Sequence, residues 1–202
     1  MINREQYIID KYKIDTTKQA PYCLEISRWR DLPKLLSELE VKEMAEIGVE
    51  VGKYSECLLN GIPNLKLYSI DPWEVYEDYR IGIKDKVEEY YKQAVQRLNG
   101  RCEIIKKFSV EAAKDFSNES LDTVFIDANH DLVNVINDID IWSKKVKKGG
   151  IMIGHDYFNQ ICEHERIDVK TAVDAWVQTH DIKTWFITTK KERRSCWLWI
   201  NK

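Results

Sequence analysis

Glu46-Ile47-Gly48-Val49-Glu50-Val51-Gly52 is the stretch on which the fold of this chain turns. With Ala45 it closes a short apolar strand, breaks on Gly48, and leads into Lys53 to Leu59, whose spacing predicts a helix. Strand, glycine turn and helix form the opening unit of a doubly wound α/β sheet. A glycine there lets the backbone approach a ligand, and the following helix presents unpaired N–H groups. The pattern ExGxxxG is weak on its own. The dinucleotide fingerprint GxGxxG is missing, because Glu50 stands at its second glycine and sets a negative charge where a pyrophosphate would lie.

Working outward, three more strands end on polar tips. Lys66 to Ile70 runs into Asp71, and Pro72, with no N–H to donate, stops the ladder there. Leu121 to Ile126 is nearly all apolar, as a central parallel strand buried on both faces should be, and ends on Asp127. Ile151 to Gly154 follows the turn Lys147-Lys148-Gly149-Gly150 and ends on His155-Asp156. Between these strands the spacing predicts helices over 84–98, 109–116 and 132–145, with a further strand over 102–106. In a doubly wound sheet the carboxyl ends of the strands border the ligand crevice, so these tips converge on one site.

Downstream, a helix over 169–179 precedes two strands, near 184–188 and 195–201, whose short connection suits an antiparallel hairpin. Upstream, Leu32, Leu35, Leu36 and Leu39 fall at helical spacing. The expectation is a helical cap over 1–40 and one Rossmann-like domain over 41–202. That domain holds a seven-stranded, mostly parallel sheet with one antiparallel strand.

Length and composition agree with one domain: 202 residues bury a full α/β core but do not suggest two. The formal charge of -3, with acids and bases interspersed, gives no broad electrostatic footprint for nucleic acid, which makes a small molecule the favoured partner. The basic run Lys190-Lys191-Glu192-Arg193-Arg194 reads as a solvated turn between strands, with a phosphate patch as the alternative. Five scattered cysteines without a CxxC pair argue against both a disulfide framework and a zinc ribbon, and point to a reducing, cytoplasmic setting. Cys162 and His164 match no standard zinc spacing and read instead as part of a polar loop over the site. No apolar run approaches the ~20 residues that span a bilayer, so no membrane partner is expected. A homo-oligomer stays open.

Asp71 lies 23 positions beyond Gly48, about where a doubly wound fold places the acid that accepts hydrogen bonds from ribose hydroxyls. A solvated strand tip is the plain alternative. Taken together, Glu46 to Gly52, Ser69-Ile70-Asp71-Pro72-Trp73, Phe125 to His130, and Lys148-Gly149-Gly150-Ile151 through Gly154-His155-Asp156-Tyr157 carry a resemblance. From about Arg28 onward the chain resembles the class I S-adenosylmethionine-dependent methyltransferases, and within them the small-molecule group called methyltransferase family 24.

The resemblance implies that Gly48, Val49 and Gly52 line the methionine and ribose part of the cofactor, with Glu46 near its amino-acid end. It implies that Asp71 holds the ribose, that Pro72 or Trp73 packs near the adenosine, and that Ser109 and Val110 border the adenine. Asp127 then faces the methyl-transfer centre.

Two devices are open for removing the acceptor's proton, with oxygen the favoured acceptor atom. In relatives similar to catechol and sugar O-methyltransferases, a divalent cation bound by strand-tip acids lowers the acceptor's pKa. Asp127 and Asp156 fall at those ligand positions, with Mg2+ as the first candidate, although His155 stands where an acid is common. The other device is a histidine base, His130 or His155, with His130 also suited to a plain capping role. Two rival functions are an NAD-dependent oxidoreductase, disfavoured by Glu50, and a non-catalytic cofactor-binding module. Of the seven tryptophans, Trp29, Trp142, Trp176, Trp185, Trp197 and Trp199 read mostly as packing residues.

Overall fold

The computed structural model describes residues 2–75, 84–162, 165–189 and 194–202. In chain order they form α1 (Arg4–Tyr12), β1 (Tyr22–Leu24), α2 (Asp31–Glu38), β2 (Glu43–Ile47), α3 (Lys53–Gly61) and β3 (Lys66–Ile70). Then come α4 (Val87–Leu98), β4 (Glu103–Ile105), α5 (Ser109–Ala112), β5 (Leu121–Ile126), α6 (Leu132–Ser143) and β6 (Val146–Gly154). The chain continues through β7 (Gln160–Cys162), β8 (Glu165–Ile167), α7 (Val169–Thr179), β9 (Trp185–Thr188) and β10 (Trp197–Ile200).

The main sheet has the order β1-β9-β10-β6-β5-β2-β3-β4. Strands β2 to β6 run parallel, while β10 is antiparallel to both β6 and β9. The chain steps outward from β2 to β4 and returns to β5 on the other side of β2. The strand order therefore reverses between β2 and β5, and that is where a crevice opens in such a sheet.

Both faces of the sheet are buried, and the period of 2 along each strand sorts side chains between two layers. Val124 and Ile126 of β5, Met152 of β6, and Trp197 and Trp199 of β10 face α6 and α7, meeting Ile139, Trp142, Ala172 and Val173. Phe125, Ile151, Ile153 and Leu198, one residue out of phase, face Ile8, Leu32, Leu35, Leu36 and Leu58 of α1 to α3. A one-residue slip of any central strand would exchange the two sets.

The sheet has eight strands where seven were expected. The additional strand, β1, lies inside the segment read as a helical cap and pairs in parallel with β9 through Tyr22, Cys23 and Leu24. Residues 147–150, read as a turn before a strand, belong to β6 itself. Its pairing with β5 shifts register between Leu121 and Thr123, which absorbs the glycine pair. The segment after Asp156, read as a loop, contains the small antiparallel hairpin β7-β8.

Gly154 shows why β6 ends on a glycine. It lies opposite Trp197 in register. A Cβ there would sit 2.1 Å from the indole ring. No helix among the described residues is long and apolar enough to cross a membrane.

Candidate active site at the strand tips

The close approach of β2 to β5 sets the floor of the crevice. Gly48 has φ +89°, and a Cβ on it would lie 2.1 Å from the Asp127 carbonyl oxygen. Only glycine satisfies both conditions. The adjoining ladder continues through the Gly48 N–H to Ile70 O at 2.9 Å and the Asp127 N–H to Ile47 O at 2.8 Å.

Asp71 ties the glycine loop together. Its Oδ2 accepts from the Val49 and Glu50 amides at 2.9 and 3.0 Å, and its Oδ1 accepts from the Trp73 amide at 2.8 Å. Burial raises its pKa above the usual carboxylate value, against the pull of those three N–H donors. The Trp73 indole N–H reaches back to Glu50 O at 2.7 Å, and its ring packs on Tyr91. Glu50 and Trp73 both hold positive φ, at +54° and +40°. Glu50 thus keeps the glycine-like backbone of the fingerprint position it occupies, and the network around Asp71 sustains that conformation.

Beneath the loop, Glu46 is 1% exposed. Its carboxyl accepts from Ser55 Oγ, which in turn accepts from Ser69 Oγ. Burial pushes its pKa up to about 8. Ser109 is committed sideways. Its Oγ accepts from Trp142 Nε1 at 2.8 Å and donates to the buried Asp138, while the neighbouring Val110 stands exposed. Pro72 follows Asp71 at the tip of β3, and Gly52, with φ +75°, begins α3.

Across the crevice the tips of β5 and β6 meet. Asp131 caps α6 by accepting from the Val133 and Asn134 amides and so fixes where His130 sits. His130 Nε2 lies 3.5 Å from Asp127 Oδ1 and 3.2 Å from Asp156 Oδ2. His155 Nδ1 lies 2.9 Å from Asp156 Oδ1 and 3.5 Å from Asp127 Oδ1. Asp156 holds φ +57°, another left-handed non-glycine residue at this edge.

Two arginines also meet this cluster. Arg28 Nη2 meets Asp127 Oδ2 at 2.8 Å, and Arg194 Nη1 meets Asp156 Oδ2 at 2.9 Å. The Arg28 guanidinium also lies over the rings of Tyr54, Phe125 and Trp29, at 4.2, 5.1 and 5.2 Å. Burial opposes ionisation of Asp127, yet Arg28, with hydrogen bonds from the two histidines, holds its carboxyl well below the usual range. Asp156 is also lowered, with His155 overcoming burial. For His155, burial disfavours the charged ring, and the two carboxylates outweigh it, so its pKa is raised.

Sequence reasoning brought together Asp127, His130, His155 and Asp156 but missed both arginines. Arg28 precedes Asp127 by 99 residues and belongs to no local motif. Arg194 sat in a run read as solvated; residues 190–193 of that run lie outside the described residues. His164 and the side chain of Cys162 also lie outside them. Of the tryptophans, Trp142, Trp185, Trp197 and Trp199 are buried and Trp29 is exposed.

A doubly wound sheet with a glycine loop at its switch point and paired acids at its strand tips defines a nucleotide-cofactor enzyme of the α/β class. Residues 45–157, more than half of the chain, match the profile of a methyltransferase domain, and the chain belongs to that family, methyltransferase family 24. It is a class I S-adenosylmethionine-dependent methyltransferase, as the resemblance implied, and the rival oxidoreductase reading falls away. No curated protein sequence matches it.

Among solved structures it is similar to an O-methyltransferase from Bacillus cereus in complex with SAH (13% identity, TM-score 0.62, covering 100% of this chain and 92% of that one). It is also similar to a putative caffeoyl-CoA O-methyltransferase from Staphylococcus aureus (15%, 0.62, 98% and 99%). A third is an rRNA methylase from Streptococcus thermophilus (13%, 0.60, 88% and 98%). At such identities the likeness is one of fold.

Proposed function

We propose that the enzyme transfers the methyl group of S-adenosylmethionine to an oxygen of a small molecule, with His155 as the general base. The observation that carries this reading is the pairing of His155 Nδ1 with Asp156 and Asp127. A ring whose Nδ1–H is held by carboxylates presents the Nε2 lone pair, and the same carboxylates stabilise the imidazolium that forms. S-adenosylmethionine supplies an electrophilic methyl on a sulfonium, which is displaced in line. As the acceptor oxygen attacks, its proton passes to His155 Nε2, and S-adenosylhomocysteine leaves. The chain's part is alignment and proton removal.

Cofactor placement follows the loop. Gly48, packed against the tip of β5, and Gly52, packed against Leu98 of α4, shape the loop beside which the methionine and ribose would lie at Val49. Asp71, already preorganised by three amides, keeps lone-pair capacity on Oδ1 for a ribose hydroxyl. A small acceptor accords with the mixed surface charge, and an oxygen acceptor with the O-methyltransferase names of two of the structural neighbours.

A divalent cation is the second device, and one observation favours it: ligand atoms of Asp127, His130 and Asp156 all lie within 4.8 Å of one another. The donor set nevertheless does not fit Mg2+. It includes an imidazole, and each carboxylate already carries a guanidinium at 2.8 or 2.9 Å.

The test is calorimetric titration with S-adenosylhomocysteine and, separately, with NAD. S-adenosylhomocysteine should bind and NAD should not, and Asp71→Ala should weaken the former at least tenfold. Tight NAD binding without a response to S-adenosylhomocysteine would overturn the cofactor. The acceptor is tested with a panel of phenols, catechols and sugars. O-methyl products are expected, lost in His155→Gln while S-adenosylhomocysteine affinity is kept. Methylation of amines or of RNA alone would refute the oxygen and small-molecule reading.

A further inference from the structure

We infer that Arg28 is the fixed cation of the reaction centre, occupying at Asp127 the place that a divalent metal would need, and that this methyltransferase works without a metal ion. The inference takes its chemistry from the methyl-transfer reading but is tested independently of it.

Arg28 belongs to neither β5 nor β6 but to the turn between β1 and α2, and that turn is locked. Ser27 Oγ accepts from the Trp29 and Arg30 amides, and the Ser27 amide donates to Asp31 at the start of α2. The side chain is 10% exposed and is enclosed by the faces of Tyr54 and Phe125. A planar guanidinium in an aromatic slot is held in one orientation, unlike a surface arginine that could swing aside to admit an ion.

Charge balance points the same way. Among the described residues, the cluster's carboxylates Asp127 and Asp156 each meet one guanidinium. A metal ion would add two positive charges beside two guanidiniums, at a site that must also accept the cofactor's sulfonium. Coulomb repulsion at these separations is strong in a partly buried site.

Asp127 Oδ1 lies 3.5 Å from both His130 Nε2 and His155 Nδ1, while Asp156 Oδ1 lies 2.9 Å from His155 Nδ1 without accepting a hydrogen bond in good geometry among the described residues. Arg28 therefore acts as a positioning residue. By holding Oδ2 it turns Oδ1 of Asp127 toward the histidines, and proton removal falls to an imidazole instead of a metal-acidified oxygen.

Mn2+, which is paramagnetic and substitutes for Mg2+, is the probe. In the intact wild-type protein, electron paramagnetic resonance titration should show no Mn2+ bound below millimolar concentration. Arg28→Met should then bind Mn2+ at least tenfold more tightly than wild type, an effect that loss of packing alone would not produce. Asp127→Asn in that background should abolish the gain. S-adenosylhomocysteine binding and far-ultraviolet circular dichroism report whether the variant is folded. Arg28→Gln, which keeps polarity and much of the length, serves if the methionine variant does not fold.

Stoichiometric micromolar Mn2+ binding to wild type would overturn the inference. So would a folded Arg28 variant with no gain. Either result would leave the cofactor assignment intact as long as S-adenosylhomocysteine still bound.

Discussion

Replacing Glu46 by glutamine should stabilise the enzyme at neutral and alkaline pH while leaving its stability in acid nearly unchanged. The carboxyl is 1% exposed, bonded to Ser55, and holds its proton up to about pH 8, against 4.5 for an ordinary glutamate. The sign follows from proton counting. Between those two values the unfolded chain has released the proton and the folded chain has kept it, so folding stability falls as pH rises and is lost progressively across that window. That gap corresponds to about 5 kcal/mol above pH 8, and to about 3 kcal/mol at pH 7.

Glutamine is nearly isosteric, can still accept from Ser55 Oγ, and cannot titrate. Every other group titrates equally in both proteins, so the difference between them isolates Glu46. Urea denaturation at half-unit steps from pH 4 to pH 9 should give two curves that separate by about 1.4 kcal/mol per pH unit between 4.5 and 8 and run parallel outside that range. In thermal melts the gap at pH 7 should be about 6–12 °C for a domain of this size. Curves that stay parallel from pH 5 to pH 8 would refute the assignment of a buried, protonated carboxyl, and with it the origin given for the raised pKa.

Other outcomes follow from steric and electrostatic facts. Gly48→Ala places a methyl 2.1 Å from the Asp127 carbonyl at φ +89°; urea denaturation should show a loss of about 3 kcal/mol or more, with S-adenosylhomocysteine binding abolished. Gly154→Ala drives a Cβ into the Trp197 ring and should shift the intrinsic tryptophan emission along with a loss of about 1–3 kcal/mol. Asp138 should behave as a smaller Glu46. Burial raises its pKa from 3.8 to about 6, so it costs stability progressively as pH rises through that interval. Asp138→Asn should remove that slope in the same pH-resolved denaturation series.

The parts of the fold legible in the sequence were those that local chemistry dictates. Val124 to Ile126 is apolar because β5 is covered on both faces, and Asp71, Asp127 and Asp156 mark strand ends because a buried strand must break into polar residues where it reaches the crevice. β1 escaped notice because three residues, Tyr22-Cys23-Leu24, carry no period, and their partner strand lies far down the chain. The hairpin β7-β8 was hidden likewise by two strands of only three residues.

At the site, the spacing from Gly48 to Asp71 and the cluster His155-Asp156 could be read directly. The Arg28 and Arg194 pairings could not, because a salt bridge across 99 or 38 residues is set by packing and leaves no pattern in composition. Ser109 was visible as a residue after β4, but its hydroxyl is claimed by Asp138 and Trp142, partners that only the docking of α6 reveals.

The pairing of β1 with β9 has a kinetic consequence for the site. Leu24 O accepts from the Thr189 amide across 165 residues of chain, so β1 cannot dock until β9, far down the chain, is in place. Such long-range closures form late and slow the folding of a domain. Arg28, four residues beyond Leu24, is carried by that closure. The glycine loop and Asp71 depend on the local pairing of β2 with β3, whereas the counter-charge of Asp127 depends on the long-range docking of β1 on β9. Electrostatic completion of the chemical centre is thereby coupled to a closure that the cofactor loop does not need.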